Sequence, residues 1–180
     1  MQIFLDENKN LEFSFRDNQR VLQYDSSRFY RDKIEKNISG IKAVDFLCIT
    51  PDQSFFIEIK DFWQPAIDGS QSPKKKENAE ELAVSISRKV FDTISGLFIA
   101  TISPHCNEEE KEYASNFLGK TLRIVFHYEL PAKWSEERRK ERMADMKQKL
   151  KNKLRIIDSS LRVEDLSSTK YWTVTRRNQR

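Results

Sequence analysis

Two charged residues lie inside an apolar stretch of this sequence. Residues 55–62 read FFIEIKDF, so Glu58 and Lys60 stand two positions apart among aromatic and β-branched residues. Such a run is typical of a strand that is buried on both faces. Burying a carboxylate and an ammonium costs several kcal/mol per ion unless other groups compensate. We therefore expect these two charges to have a role beyond packing.

The spacing of the two charges means nothing by itself. A Glu-x-Lys or Asp-x-Lys tripeptide occurs four times in the chain, and three of the four copies lie in polar sequence. Only the copy at 58–60 lies in an apolar strand. One explanation is structural, because a charged pair on an edge strand prevents sheets from joining edge to edge. The other explanation is chemical and depends on which other residues share that face.

A third charge, Asp45, lies in the preceding apolar segment, AVDFLCIT. The short connection PDQ between the two segments predicts a β-hairpin. If the hairpin closes with two or four residues centred on Asp52 and Gln53, Asp45 is opposite Lys60. Side chains alternate between faces with a period of two, so Asp45, Glu58 and Lys60 are expected on one face. A loop with an odd number of residues would separate them.

Two carboxylates and one ammonium on an apolar sheet suit metal-assisted chemistry. Carboxylate oxygens are hard ligands of the kind that Mg²⁺ and Mn²⁺ prefer. A metal held in this way activates water and neutralises the charge of a phosphodiester. A nearby lysine orients that water or stabilises developing negative charge. The residue types therefore predict hydrolysis of phosphodiester bonds.

The pattern resembles the PD-(D/E)xK nuclease superfamily, whose members have a restriction-endonuclease-like fold. The resemblance covers about residues 26–130. It implies that Asp45 and Glu58 bind the metal, together with the backbone carbonyl of Ile59. It also implies that Lys60 assists the attacking water.

Three further positions come from the same resemblance. Many members carry a glutamate on the first core helix, and Glu35 is the best placed candidate here, with Asp32 second. Members often place an auxiliary polar residue on the helix after the catalytic strand, at a position similar to Arg88 or Lys89. Val44 stands where the motif has proline, a departure that the family tolerates.

The elements around these residues predict an α/β (α+β) fold with a mixed central sheet flanked by helices. Residues 1–24 contain three short apolar segments and predict a β meander. A helix is expected from about residue 26 to 39, a long helix at roughly 79–102, and a strand in TLRIVFHYEL. A basic helix at about 134–155 and a last strand, KYWTVT, follow as an appendage. We expect one domain spanning residues 1–180.

Positive charge is concentrated in one segment of the chain. Residues 133–155 contain ten Lys or Arg and four Asp or Glu, whereas the whole chain has a net charge of +4. Such a segment favours a polyanionic partner, because phosphate contacts supply most non-specific affinity for nucleic acid. Candidate contacts lie on the loop after the catalytic strand, on the long helix and on the basic helix: Lys74, Lys75, Lys76, Arg88, Lys89, Arg138, Arg139 and Arg142.

The leading interpretation is a Mg²⁺- or Mn²⁺-dependent nuclease that acts on DNA, more than on RNA, in defence or repair. The alternative is an inactive protein with a nuclease fold that binds nucleic acid or a protein partner. Apolar residues on the 134–155 helix predict packing or a homodimer contact. No segment has the roughly 18 apolar residues of a membrane span. The N-terminus lacks the layout of a signal peptide, so a cytoplasmic location is expected.

Overall fold

A computed structural model describes residues 1–63 and 78–177. Residues 64–77, which include the three consecutive lysines, lie outside these ranges. The described chain has two sheets, three α-helices and a short π-helical segment, Phe29–Glu35. The strands are β1 (Gln2–Leu5), β2 (Leu11–Phe15), β3 (Arg20–Gln23), β4 (Phe46–Ile49), β5 (Gln53–Asp61), β6 (Thr121–Glu129), β7 (Arg162–Glu164) and β8 (Thr173–Arg176), and the helices are α1 (Ala79–Ile102), α2 (Glu108–Leu118) and α3 (Glu136–Leu154). The predicted α+β class is confirmed.

The larger sheet has the strand order β3-β4-β5-β6-β7 and is mixed. Strands β3, β4 and β5 pair in antiparallel fashion, whereas β6 and β7 run parallel to β5. The smaller sheet, in the order β1-β2-β8, is antiparallel. A parallel neighbour requires a long crossover connection, and the connection from β5 to β6 contains α1 and α2.

Alternation along β5 divides the core into two layers. Phe55, Ile57 and Ile59 face the smaller sheet and pack with its Phe13 and Phe15. Phe56 points the other way, into a core built with α1, α2 and α3. Because side chains alternate, Glu58 and Lys60 lie on this helix-covered face.

Each helix begins with a polar cap that satisfies its first backbone N–H groups. Asn78 of α1 accepts a hydrogen bond from the backbone of Glu81, which bonds back to the cap in a capping box. Asn107 starts α2 in the same way. Ser135 caps α3, with Glu136 in its first turn. These caps fix where α1 and α3 start relative to the sheet.

Several elements differ from the sequence-based expectation. The third N-terminal strand, β3, does not continue a meander but pairs with β4 in the larger sheet. The expected first helix is a seven-residue π-helical segment. Helix α2 and strand β7 were not predicted. Phe98 of α1, although apolar, is 57% exposed.

Helix α3 packs on this chain's own core. Its Met146, Leu150 and Leu154 are fully buried in the cluster that also contains residues of α1. This apolar stripe is therefore occupied within the chain and is not free for a dimer contact. Within residues 1–63 and 78–177, no helix combines the length and the apolar character needed to cross a bilayer.

Candidate active site

The β4–β5 hairpin brings Asp45 and Glu58 together. Phe46 is opposite Ile57, so Asp45, one residue before β4, continues the ladder opposite Glu58. The predicted register, with Asp45 opposite Lys60, is wrong by two residues. The backbone N–H of Thr50 bonds the carbonyl of Gln53 at 2.8 Å, which closes the hairpin with two residues between them. An even shift preserves the face, so Asp45, Glu58 and Lys60 share one side of the sheet, as expected.

Asp45 is held in place by backbone groups on both sides. Its Oδ2 accepts a hydrogen bond of 2.6 Å from the backbone N–H of Ile59. Its own carbonyl accepts from the N–H of Tyr24, which continues the β3–β4 ladder. The backbone N–H of Val44 donates to the hydroxyl of Thr93 on α1 at 3.1 Å. The strand end that carries Asp45 is thus fixed to β5 and to α1.

Lys60 makes the ion pair with Glu58 that their spacing allows. Its Nζ lies 3.0 Å from Oε1 of Glu58. The Glu58 side chain is 2% exposed and that of Lys60 is 32% exposed. The lysine therefore lies at the solvent side of the pair, where a water molecule or a substrate can reach it.

Lys89 lies in the site itself. It was predicted as a nucleic-acid contact and as a position similar to the auxiliary polar residue of the resemblance, and its side chain is only 18% exposed and points into the site. Its Nζ lies 2.7 and 2.9 Å from the two oxygens of Glu58 and 3.4 Å from Oδ1 of Asp45. Ile86, Val90 and Thr93 form the buried face of α1 around it, so the helix phase directs Lys89 toward the sheet.

Asp25 is a further acid near the site that sequence reasoning missed. It directly follows Tyr24, at the end of the β3 segment. Burial and the Asp45 carboxylate raise the pKa of Asp25 to about 6. Its Oδ1 is buried without a hydrogen-bond partner among the described residues. An aspartate placed just after an apolar strand is a weak signal, and only the β3–β4 pairing brings it to Asp45.

The site holds more negative charge than its lysines neutralise locally. Burial, followed by Asp45, raises the pKa of Glu58 to about 7, although Lys89 and Lys60 act in the opposite direction. Burial acts to lower the pKa of Lys89, but Glu58 and Asp45 outweigh it and raise that pKa. Strongly perturbed groups that share a partly open site are typical of functional centres.

The donor set suits a hard divalent cation. No group of three or more His, Cys, Asp or Glu side chains in the described ranges is arranged to hold a metal. Asp45 and Glu58 nevertheless converge on one cation, the Lys89 ammonium. Mg²⁺ is commonly held by one or two carboxylates and keeps several water ligands. Asp45, Glu58 and the carbonyl of Ile59 fit that requirement.

Glu35 is not brought to these residues. It is exposed at the end of the π-helical segment, and within the described chain it makes no hydrogen bond or ion pair with them. The side chain of Asp32, the second candidate, pairs with Lys36 at 2.6 Å on the surface. Asp25, by contrast, interacts electrostatically with Asp45.

Arg88 also serves a structural purpose. One of its guanidinium nitrogens donates to the carbonyl of Gly40 at 2.9 Å, and the side chain pairs with Asp92 on the next turn. Gly40 has a positive φ of 75°, which glycine adopts without strain. Arg88 therefore ties the segment before β4 to α1. The predicted contacts Lys74, Lys75 and Lys76 lie outside the described residues.

Two arginines of α3 make contacts within the described chain. Arg139 donates to the carbonyls of Pro131 and Ala132 and stacks 4.9 Å from the ring centre of Trp63, so it fastens the start of α3. Arg138 lies over the Trp134 ring at 4.0 Å. Both arginines therefore make local contacts near the start of α3.

Arg142 of α3 is connected to the site through Tyr128. Its Nε donates to the hydroxyl of Tyr128 at 3.3 Å, and Tyr128 is opposite Lys60 in the β5–β6 ladder. A groove of about 310 Å³ runs beside it and is lined by Trp134, Arg138, Glu141, Arg142 and Asp145. Two arginines and two acids balance there, so the groove is less positive than the sequence of α3 suggests.

The comparisons with known proteins leave the family open. No protein-family model matches the chain, and no solved structure matches it significantly. The chain is similar to a cysteine–tRNA ligase of Neisseria meningitidis serogroup A / serotype 4A (strain DSM 15465 / Z2491), with 26% identity over 147 residues. That match covers 69% of this chain and 21% of the ligase, so the chain spans about a fifth of the ligase.

Proposed function

We propose that this chain is a divalent-metal-dependent nuclease that hydrolyses phosphodiester bonds, with DNA favoured over RNA and with Mg²⁺ or Mn²⁺ as cofactor. One observation carries the proposal: Asp45, Glu58 and two lysines converge on one face of the central sheet. Two carboxylates that repel each other in a largely buried place destabilise a fold. A chemical role explains why such an arrangement is present.

The order of elements supports the same proposal. An antiparallel hairpin, β4–β5, is followed by α1 and by the parallel strand β6. This is the core order implied by the resemblance to PD-(D/E)xK nucleases. The site lies at the end of β5 on the helix-covered face, where Lys60 remains partly open to solvent.

Each residue of the site has a proposed role. Asp45 and Glu58, with the carbonyl of Ile59, hold the cation. When bound, the cation supplies an activated water and neutralises phosphate charge. Lys60 orients the attacking water and stabilises the negative charge that develops on the phosphate. The hydrogen bond from Ile59 fixes Oδ2 of Asp45 and leaves Oδ1, which lies 3.4 Å from the Lys89 ammonium, as the oxygen that would bind the cation.

Arg142 is the best supported phosphate contact among the described residues. Its bond to Tyr128 directs it to the side of β6 that adjoins Lys60. Arg138 and Trp134 extend the same surface with an aromatic ring and a guanidinium group, which stack on unpaired bases in other proteins. Lys74–Lys76 belong to the proposal on sequence grounds alone.

The test is a cleavage assay with plasmid, linear and single-stranded substrates, with Mg²⁺ or Mn²⁺ and with EDTA. We expect cleavage that EDTA stops and that Asp45→Asn abolishes. Asparagine keeps an acceptor for the Ile59 N–H but removes the charge, so the variant should melt at or above the wild-type temperature. A folded Asp45→Asn protein with full activity would rule out the proposed site.

A second candidate is a nuclease-fold protein that binds nucleic acid or a protein partner without cutting. The position of Lys89, whose ammonium already lies between the two carboxylates, favours this reading. The same assay separates the two functions, because this candidate predicts retention of DNA in a mobility-shift gel with no cleavage under any metal condition.

A further inference from the structure

The Lys89 ammonium lies where a bound cation would have to lie. It approaches both oxygens of Glu58, at 2.7 and 2.9 Å, and Oδ1 of Asp45 at 3.4 Å. A Mg²⁺ ion binds carboxylate oxygens at about 2.0–2.1 Å and uses the same lone pairs. The ammonium and a divalent ion therefore exclude each other from this pair of carboxylates.

We infer that Lys89 is an internal counter-ion that competes with the divalent cation for Asp45 and Glu58. The inference rests on the proposed function, because it takes these two carboxylates as the metal ligands. Its consequence is that metal binding requires the Lys89 side chain to withdraw, so the apparent metal affinity is lower than the carboxylates alone would give.

Burial explains why a counter-ion is needed when no metal is bound. The Glu58 side chain is 2% exposed and faces Asp45, so without Lys89 the two carboxylates would be left with little water and with Lys60 alone beside Glu58. Lys89 supplies that partner from α1, a different element from the two strands. A lysine suits this role because its ammonium is a point charge on a flexible four-carbon stem.

The two lysines of the site have separable roles. Lys60 contacts only one oxygen of Glu58, at 3.0 Å, and is partly exposed. Lys89 contacts both carboxylates and is more deeply buried. Only Lys89 blocks the space that Asp45 and Glu58 share, so the inference concerns Lys89 and leaves Lys60 as the residue that assists water.

The experiment measures Mn²⁺ binding by the loss of the free-ion EPR signal, without nucleic acid. Lys89→Gln keeps hydrogen-bond donors and removes the charge, and Lys89→Ala removes both. Close charge pairs couple strongly, so we expect the Mn²⁺ affinity of both variants to rise about tenfold or more. Lys140→Ala, which removes an exposed lysine paired with Glu136 on α3, should leave the affinity unchanged, and Asp45→Asn should abolish binding at this site.

A thermal melt gives a second readout. In EDTA, Lys89→Gln should melt below the wild type because Glu58 and Asp45 lose their counter-ion. Saturating Mn²⁺ should raise the melting temperature of Lys89→Gln more than that of the wild type, since the ion binds more tightly. If the variants fail to fold, NMR of the wild-type lysine ammonium groups serves instead. Mg²⁺ should then abolish the exchange-protected signal of Lys89.

The outcomes distinguish this inference from the proposed function. If the wild type binds Mn²⁺ at Asp45 and the Lys89 variants bind it equally or more weakly, the inference is wrong and the proposed metal site stands. If only the Lys89 variants bind, the inference is supported and the wild type is not a metal-dependent enzyme. Absence of binding in every protein overturns both. In the NMR arm, an ammonium signal that persists at saturating Mg²⁺ overturns the inference.

Discussion

Strands β5 and β6 carry a polar cluster on each of their two faces, and the carboxylates of the two clusters have different hydrogen-bond partners. On the helix-covered face, Asp45 and Glu58 share Lys89, and burial raises the pKa of Glu58. On the opposite face, Arg176 of β8 makes two hydrogen bonds to Asp61, at 3.0 and 3.1 Å. Among the described residues, the partners of Glu58 in the first cluster are lysines, whereas Asp61 and Glu129 in the second cluster each accept a backbone N–H as well as the Arg176 guanidinium. We call the first cluster unmatched and the second matched.

The cluster between the sheets has the features of a structural network. Arg176 also reaches Glu129 at 3.4 Å, and Glu129 accepts from the backbone N–H of Leu166. His127, which is fully buried, lies 3.0 Å from the same glutamate. Trp63 covers the guanidinium of Arg176 at 5.0 Å. This network fastens β8 to the central sheet, so burial and charge alone do not identify an active site. The difference lies in whether each buried carboxylate is also held by a backbone N–H, as Asp61 is by Trp63 and Glu129 by Leu166.

The largest effect is expected from Arg176→Met in the matched cluster. Removing the guanidinium leaves the buried carboxylates of Asp61 and Glu129 uncompensated, which should cost about 3–5 kcal/mol of unfolding free energy. Urea unfolding measures that loss. Cleavage per folded molecule should be unchanged because Arg176 lies on the other face of the sheet. A variant of normal stability would show that this cluster is not a structural network.

Lys60→Ala should show the reverse pattern in the unmatched cluster. Cleavage should fall by about 10²-fold or more, as the loss of one charge-stabilising donor usually causes. Stability should change little because Glu58 keeps Lys89 as a partner and Lys60 is partly exposed. Parallel nuclease assays and melts check both parts.

Manganese binding provides the control for Lys60→Ala, since the variant should retain it. A protein that melts far lower yet cleaves normally per folded molecule would place Lys60 in a structural ion pair. Such a result would remove the distinction between the two faces.

The parity of the hairpin allowed much of the site to be predicted from sequence. Any hairpin loop with an even number of residues places Asp45, Glu58 and Lys60 on one face. An error of two residues in register therefore left the predicted face correct. The inward direction of Lys89 was readable in principle from the apolar phase of α1. Asp25 was not, because it meets Asp45 only through the pairing of β3 with β4.

The matched cluster could not be predicted because its contacts are far apart in sequence. Asp61 and Arg176 are 115 residues apart, and their meeting depends on β8 joining β2 in the smaller sheet. The apolar N-terminal segments predicted the strands β1, β2 and β3 correctly, but they did not indicate which strands each would pair with. Local patterns report which face of a strand is buried, whereas sheet membership is decided by long-range packing.

A smaller effect is expected where the unmatched cluster adjoins α3. Arg142→Ala should reduce the slope of log affinity for DNA against log salt by about one unit, the contribution of one phosphate contact. Lys140→Ala is the matched control, since Lys140 pairs with Glu136 on the exposed side of the same helix. Equal slopes for both variants and the wild type would remove Arg142 from the interface.

The smallest effect tests whether Asp25 belongs to the unmatched cluster. Its pKa is raised to about 6 from 3.8, so between these values the folded protein holds a proton that the unfolded chain has released. The free energy of unfolding must therefore fall as the pH rises through that window. Asp25→Asn should remove this part of the slope and stabilise the protein at pH 7 by about 1 kcal/mol, after allowance for solvent screening. Urea unfolding in EDTA from pH 4 to 7 measures this pH dependence.

Asp32→Asn, which changes an exposed aspartate whose pKa is lowered by Lys36, should leave the Asp25 slope intact. Glu58 titrates over a similar range, so the difference between wild type and Asp25→Asn isolates Asp25. If that difference does not vary with pH, Asp25 is an ordinary surface acid and does not belong to the unmatched cluster.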